Sequence, residues 1–74
     1  MAEKIKLGIY RPYKGEHYRV IGVGKHSETL EDMVVYEALY VNRVSKLWTR
    51  PLTMFLETVE VEGEKVPRFM HVNE

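Results

Sequence analysis

The sequence has no cysteine among its 74 residues. This absence excludes a disulfide framework, a cysteine zinc site and a thiol nucleophile. The chain must therefore be held together by burial alone, which suits a reducing compartment, and we expect a cytoplasmic protein. The N-terminal segment MAEKIKLGIY has no apolar run long enough for a signal peptide. No segment approaches the roughly 20 apolar residues of a membrane span, so we expect no membrane partner.

The chain also lacks a net charge, because 11 Lys and Arg residues balance 11 Asp and Glu residues. A protein that binds nucleic-acid phosphates usually carries a basic excess, so this balance disfavours that class without excluding it. The charges are nevertheless unevenly placed. Residues 1–25 hold six basic and two acidic side chains, whereas residues 26–42 hold four acidic side chains and no Lys or Arg.

Metal-ligand spacings and glycine-rich phosphate loops are missing too. His17, His26 and His71 are scattered, and no spacing matches a zinc or calcium template. The Gly22-Val23-Gly24 stretch lacks the third glycine and the following helix of a dinucleotide-binding loop. We therefore expect neither a metal site nor a cofactor.

The chain does contain short apolar runs that are rich in β-branched and aromatic residues and are separated by Gly and Pro, a pattern typical of strands. Pro51 starts a single helical turn that ends at Phe55. We predict one domain over residues 1–74, with an ordered core at about 7–70. Its fold class is all-β: a small, partly open SH3-like barrel or roll of five or six short strands with one 3-10 turn, and an OB-like barrel is the alternative. The predicted strands cover residues 6–13, 17–24, 33–40, 47–50, 55 or 56 to 61, and 65–69. The predicted core residues are Tyr18, Val20, Phe55 and Phe69.

Several motifs resemble those of one small bacterial family, the domain of unknown function 1653. They are YRPYKG at 10–15, HSET at 26–29, VVY at 34–36, LY at 39–40, LWTRP at 47–51, MF at 54–55 and VPRF at 66–69. The resemblance covers nearly the whole chain. It implies an SH3-type β-barrel, which agrees with the strand pattern, and it implies no particular activity.

The polar stretch GKHSETLED, at residues 24–32, allows three interpretations. A hydrolytic triad is disfavoured, because His26 and Glu28 share one face of an extended chain whereas Ser27 and Thr29 share the other. The favoured interpretation is a turn in which Ser27 and Thr29 bond to local backbone groups. Two other interpretations remain beside the turn. One is a loop that contacts a ligand, and the other is a small enzyme or small-ligand site in which His26 is the base and Glu28 orients it.

Aromatic and arginine side chains allow two interpretations, a binding surface and ordinary packing with the tyrosine hydroxyls at the rim of the core, and ordinary packing is favoured. Five tyrosines are difficult to bury in so small a domain, because each hydroxyl needs a hydrogen-bond partner. Arg50 lies two residues after Trp48, so the two share a strand face. An arginine beside an aromatic ring can hold a carboxylate or a phosphate, or it can pair with Glu57 or Glu60 across the sheet.

We predict a non-catalytic binding module with an aromatic-lined face between the 24–32 loop and the 42–46 turn. Its ligand would be an acidic or C-terminal peptide, a nucleotide or a single-stranded nucleic acid. A homodimer formed through the exposed edge near residues 65–69 is a further possibility. The predicted binding residues are Tyr13, His26, Glu28, Thr29, Tyr36, Trp48, Arg50 and Arg68.

Overall fold

The computed structural model describes residues 5–41 and 43–72. This part of the chain forms seven β-strands and one short helix. In chain order they are β1 (Gly8–Pro12), β2 (Tyr18–Lys25), β3 (Asp32–Ala38), β4 (Leu47–Pro51), α1 (Leu52–Phe55), β5 (Thr58–Val61), β6 (Glu64–Pro67) and β7 (Phe69–His71).

The strands form two antiparallel sheets. The first four strands make a meander, and β7 pairs with the free side of β1, which gives the order β4-β3-β2-β1-β7. The second sheet is the β5-β6 hairpin. The sheets do not close into a barrel, and the prediction of a small, partly open all-β domain is confirmed. No helix in the described part of the chain is long and apolar enough to cross a membrane.

The described part of the chain has seven strands rather than the predicted five or six, several strands are shorter than predicted, and two further details differ. The helical turn is α rather than 3-10. The predicted strand at 65–69 is divided at Arg68, because its backbone N–H donates to the Glu57 carbonyl (3.0 Å) while its carbonyl accepts from the Tyr13 N–H (2.8 Å). Arg68 therefore joins the hairpin to the larger sheet, and the chain continues beyond it as a separate strand, β7.

The core lies on one face of the larger sheet. Strand β3 alternates, with Val34, Tyr36 and Ala38 buried and the residues between them half-buried. The helix α1 follows β4 directly and covers this face with its buried residues. Burial of Val20 and Phe55 is confirmed, whereas Tyr18 and Phe69 pack against the core while half-buried. The buried core cluster consists of Tyr10, Val20, Val34, Tyr36, Leu52 and Phe55.

A bulge in β2 allows both halves of that strand to face the core. The register shifts between Val20 and Gly22, so that Val20 lies opposite Tyr36 and Val23 lies opposite Val34. Two residues three apart in a regular strand would point to opposite faces. The bulge restores the alternation, and it lies beside Gly22.

Candidate functional site

An open depression of about 230 Å³ lies where the end of β1 meets β2, β3, β4 and β7. We call it the arginine depression. Three of its lining side chains are cationic, and none of the described residues that line it is acidic. Its electrostatics therefore favour an anionic group. The lining residues are Pro12, Tyr13, Lys14, Tyr18, Tyr36, Arg50, Arg68 and Phe69.

Strand pairing places Arg50 in this depression. Arg50 lies opposite Val34 in the β3-β4 ladder, which directs its side chain to the core face. The side chain is half-buried, and its Nε donates to the Tyr36 hydroxyl at 3.4 Å. Its guanidinium carbon lies 5.6 Å from the centroid of the Phe69 ring. No carboxylate of the described residues lies within salt-bridge distance of Arg50.

Arg68, in contrast, is neutralised within the chain. Its Nε donates to Glu57 Oε1 at 3.0 Å, and its guanidinium carbon lies 5.8 Å from the centroid of the Tyr13 ring. Of the two roles that the sequence allows for an arginine beside an aromatic residue, the structure shows pairing with Glu57 for Arg68. The depression thus has one guanidinium that is paired and one that lacks a counter-ion among the described residues.

Two tyrosines with hydrogen-bonded hydroxyls, Tyr18 and Tyr36, line the depression. The Tyr18 and Tyr40 hydroxyls lie 2.9 Å apart, and the Tyr18 and Tyr36 rings meet edge to face at 5.1 Å. Burial, together with the hydrogen bond to Tyr40, raises the pKa of Tyr18 to about 12. Tyr18 therefore stays protonated and neutral at any physiological pH, and the nearby Arg50 gains no counter-charge from it.

Two of the aromatic rings at the depression, Phe69 and Tyr13, are partly covered by other groups. Phe55 stacks on Phe69 with 4.2 Å between ring centroids and parallel planes, and the Arg50 guanidinium lies over the same ring. The Tyr13 ring is 45% exposed, but the Arg68 guanidinium lies over it. A nucleic-acid base stacks on an open aromatic face. Among the rings that line the depression, only Tyr13 is exposed enough for a base to stack on it, whereas the Arg50 guanidinium is available to an anion.

The HSET segment lies elsewhere, in the turn between β2 and β3. The His26 Nδ1 accepts hydrogen bonds from the backbone N–H groups of Glu28 (3.1 Å) and Thr29 (3.3 Å). The Thr29 hydroxyl accepts from the Glu31 N–H at 3.2 Å. These contacts support the interpretation of the segment as a turn, although the local bonds come from His26 and Thr29 rather than from Ser27.

The structure divides the eight predicted binding residues equally. Four of them line the depression, and the other four do not. Trp48 packs against the core opposite Tyr36, where its indole N–H is buried and has no hydrogen-bond partner among the described residues. No residue of the 24–32 loop or of 43–46 lines the depression, and Asn42 lies outside the described residues. The four that line it are Tyr13, Tyr36, Arg50 and Arg68, and the four that do not are His26, Glu28, Thr29 and Trp48.

Four lining residues are not among the residues that the sequence predicts for a binding site. Tyr18 and Phe69 are predicted only as core residues, and Pro12 and Lys14 belong only to the YRPYKG motif. The sequence carries no signal for Phe69 at this surface, because neighbours on a regular strand point to opposite faces and the division of the strand at Arg68 depends on tertiary hydrogen bonds. Within the described residues, no group of three His, Asp or Glu side chains is arranged to hold a metal ion.

Comparison with known proteins places the chain in a family. A family model described as "Protein of unknown function (DUF1653)" matches residues 8–71. The crystal structure of a DUF1653 protein from Bordetella bronchiseptica is 40% identical to this chain. It aligns with a TM-score of 0.87 over 92% of this chain and 87% of the other. No curated protein matches significantly. The chain therefore belongs to the DUF1653 family, as its motifs indicate.

Proposed function

We propose that this protein is a non-catalytic binding module whose arginine depression holds an anionic group, a carboxylate or a phosphate, of its ligand. The observation that carries this proposal is Arg50, a half-buried guanidinium with no carboxylate partner among the described residues. Removing a cation from water is costly unless an opposite charge accompanies it. An anion bound at Arg50 would supply that charge.

The hydrogen bonds around Arg50 support recognition of an anion. Its Nε–H donates a hydrogen bond to the Tyr36 hydroxyl, and the described contacts leave both terminal nitrogens available to a ligand. Because Tyr36 accepts this bond through its oxygen, its own proton is available to a second acceptor. Two guanidinium N–H groups match the two oxygens of a carboxylate or a phosphate. Lys14, at the rim, adds a further positive charge.

A binding role is also supported by the chemistry of the lining. The described residues around the depression include no carboxylate, imidazole or aliphatic hydroxyl that would act as base or nucleophile. The depression is open and shallow, so it would exclude little water from a reaction. The cysteine-free composition is consistent with a module that works in the cytoplasm.

The test is an amide-shift titration with three small anions: N-acetylglycine, inorganic phosphate and adenosine monophosphate. We expect shifts at the arginine depression, and Arg50→Gln should weaken binding at least tenfold, since a hydrogen bond to a charged group is worth about 1.5–3 kcal/mol. Arg19→Gln is the matched control, because Arg19 is exposed on β2 opposite Glu37 and lines no part of the depression.

Equal affinities of Arg50→Gln and Arg19→Gln for all three anions would refute the proposal. Shifts centred on His26 and Glu28 would favour the enzyme or small-ligand site instead. N-acetylglycine and phosphate separate the two anion chemistries, and adenosine monophosphate shows whether a base adds affinity to the phosphate.

A further inference from the structure

A second concave surface adjoins the arginine depression on the other side of Tyr13. It is a groove of about 430 Å³ between residues 11–15, the β5-β6 hairpin and β7. The two surfaces share Pro12, Tyr13 and Lys14, so they form one continuous feature. We call the second surface the apolar groove, because most of its lining is apolar: Pro12, Tyr13, Val61, Val66, Pro67 and Met70.

We propose that the ligand of the combined surface is the C-terminal segment of another protein chain. This inference rests on the proposed function and specifies its ligand. The terminal carboxylate lies on the Arg50 guanidinium, and apolar side chains of the preceding residues lie in the apolar groove beyond Tyr13.

Charge complementarity favours a ligand with a single terminal carboxylate. The charged side chains that line the groove are Arg11 and Lys14, and no acidic side chain of the described residues lines either surface. With Arg68 neutralised by Glu57, the depression has one guanidinium to offer. A C-terminus supplies one carboxylate at the end of an otherwise uncharged backbone, which matches this arrangement.

The wall of the groove disfavours nucleic acid. The β5-β6 hairpin that contributes Val61 and Val66 also carries Glu60, Glu62 and Glu64, which would repel a chain of phosphates. At the depression, guanidinium groups lie over the Phe69 and Tyr13 rings, which reduces the ring surface on which a base could stack. Apolar side chains of a peptide, however, would bury the exposed Val61 and Met70.

The test compares three tetrapeptides by amide-shift titration: acetyl-Gly-Leu-Val-Leu as the free acid, the same peptide as its C-terminal amide, and acetyl-Gly-Gly-Gly-Gly as the free acid. We expect the first to bind with shifts at both surfaces. The amide should bind at least tenfold more weakly, since it lacks the charge that Arg50 recognises. The glycine peptide should bind roughly fivefold more weakly, since it leaves the groove empty.

A matched pair of methionine variants locates the apolar contact. Met70→Gln should weaken binding of the leucine peptide about fivefold and leave the affinity for N-acetylglycine unchanged. Met54→Gln should change neither, because Met54 lies on α1 and lines neither surface, with nearly the same exposure (45% against 42% for Met70). Both side chains are exposed, so both variants should fold.

Failure of this inference is distinguishable from failure of the proposed function. Equal affinity for the leucine and glycine peptides, with Arg50→Gln still weakening both, would overturn the peptide groove and leave the anion site standing. An oligonucleotide that binds more tightly than the leucine peptide would also overturn the inference. So would a concentration-dependent dimer in sedimentation that Met70→Gln dissociates, because the occupant would then be a second copy. If Arg50→Gln bound every carboxylate with unchanged affinity, both the peptide inference and the proposed anion site would be overturned.

Discussion

At the residue scale, His26 uses its ring to cap its own turn. Its Nδ1 accepts the backbone N–H groups of Glu28 and Thr29. We expect His26→Ala to lower the free energy of unfolding by about 1 kcal/mol, because two donors lose their acceptor, although exposure to water limits the cost. Urea denaturation measures this. Ser27→Ala, at an exposed neighbour, should change stability by less than about 0.5 kcal/mol, and an equal loss in both variants would refute the capping role.

Tyr18 should make stability depend on alkaline pH. Its pKa is raised to about 12 by burial and by the bond to Tyr40, whereas a tyrosine in the unfolded chain ionises near pH 10. The contribution of Tyr18 to the free energy of unfolding is therefore complete below pH 10. It is lost as the pH rises towards 12, because only the unfolded state releases the tyrosine proton in this range. Urea midpoints at pH 9 and pH 11 test this.

Tyr18→Phe is the control for this pH dependence. The variant removes the titrating hydroxyl and should lose less stability between pH 9 and pH 11 than the natural chain. Some loss should remain, because burial also raises the pKa of Tyr10. An identical decline in the variant and the natural chain would show that Tyr18 does not contribute.

The sequence predicts which residues of the site share a face wherever strand alternation determines the direction of their side chains. The i, i+2 spacing of Trp48 and Arg50 puts both on one face, and the β3-β4 register confirms it. The same rule does not say which of the two lies over the core and which over the depression. The role of His26 was not predictable, because the direction of its ring depends on the shape of the turn rather than on the alternation.

At the scale of elements, α1 secures the core although it is only four residues long. Phe55 is 1% exposed and contacts the rings of Tyr10, Tyr36 and Phe69. Phe55→Ala should cost about 3–5 kcal/mol, which is comparable to the whole stability of about 3–5 kcal/mol that a core of this size supplies. We expect a largely unfolded variant by circular dichroism.

The neighbouring Met54 provides the control for that experiment. Met54 lies in the same turn but is 45% exposed, so Met54→Ala should stay folded with a change below about 0.5 kcal/mol. A folded Phe55→Ala with a native amide spectrum would mean that α1 is dispensable.

The sequence predicts the positions of most strands closely, but it does not predict that β7 is a separate strand. The short apolar runs, together with the glycines and prolines that separate several of them, locate the meander. The separation of β6 from β7 was missed, because it results from two backbone hydrogen bonds that Arg68 makes to residues of other elements. Such bonds depend on tertiary placement, which local propensity does not contain.

At the scale of the whole molecule, the two sheets differ in how deeply they are buried. Strands β5 and β6 contain no buried residue, whereas β3 contains three. We expect amide hydrogen exchange to show the lowest protection in β5 and β6 and the highest in β2 and β3, since local opening exposes little apolar surface in the hairpin. Equal protection in both sheets would indicate that the domain opens only as a unit.

The arginine depression itself is a product of the whole fold. Its lining residues come from β1, β2, β3, β4 and β7 and from the segments beside them, which are separated by up to most of the chain. The residue types that form it could be proposed from the sequence. Their assembly could not, because the pairing of β7 with β1 is a long-range contact with no local signal.

The pairing of β7 with β1 places the first and last described segments of the chain on neighbouring strands. The backbone N–H of Val72 donates to the Ile9 carbonyl at 2.9 Å, so the first and last strands run side by side. A short flexible linker could therefore join residues 5 and 72, with the backbone reopened between Glu62 and Gly63 in an exposed turn. Such a circular permutant would keep every strand pairing of both sheets while presenting its new ends beside the apolar groove.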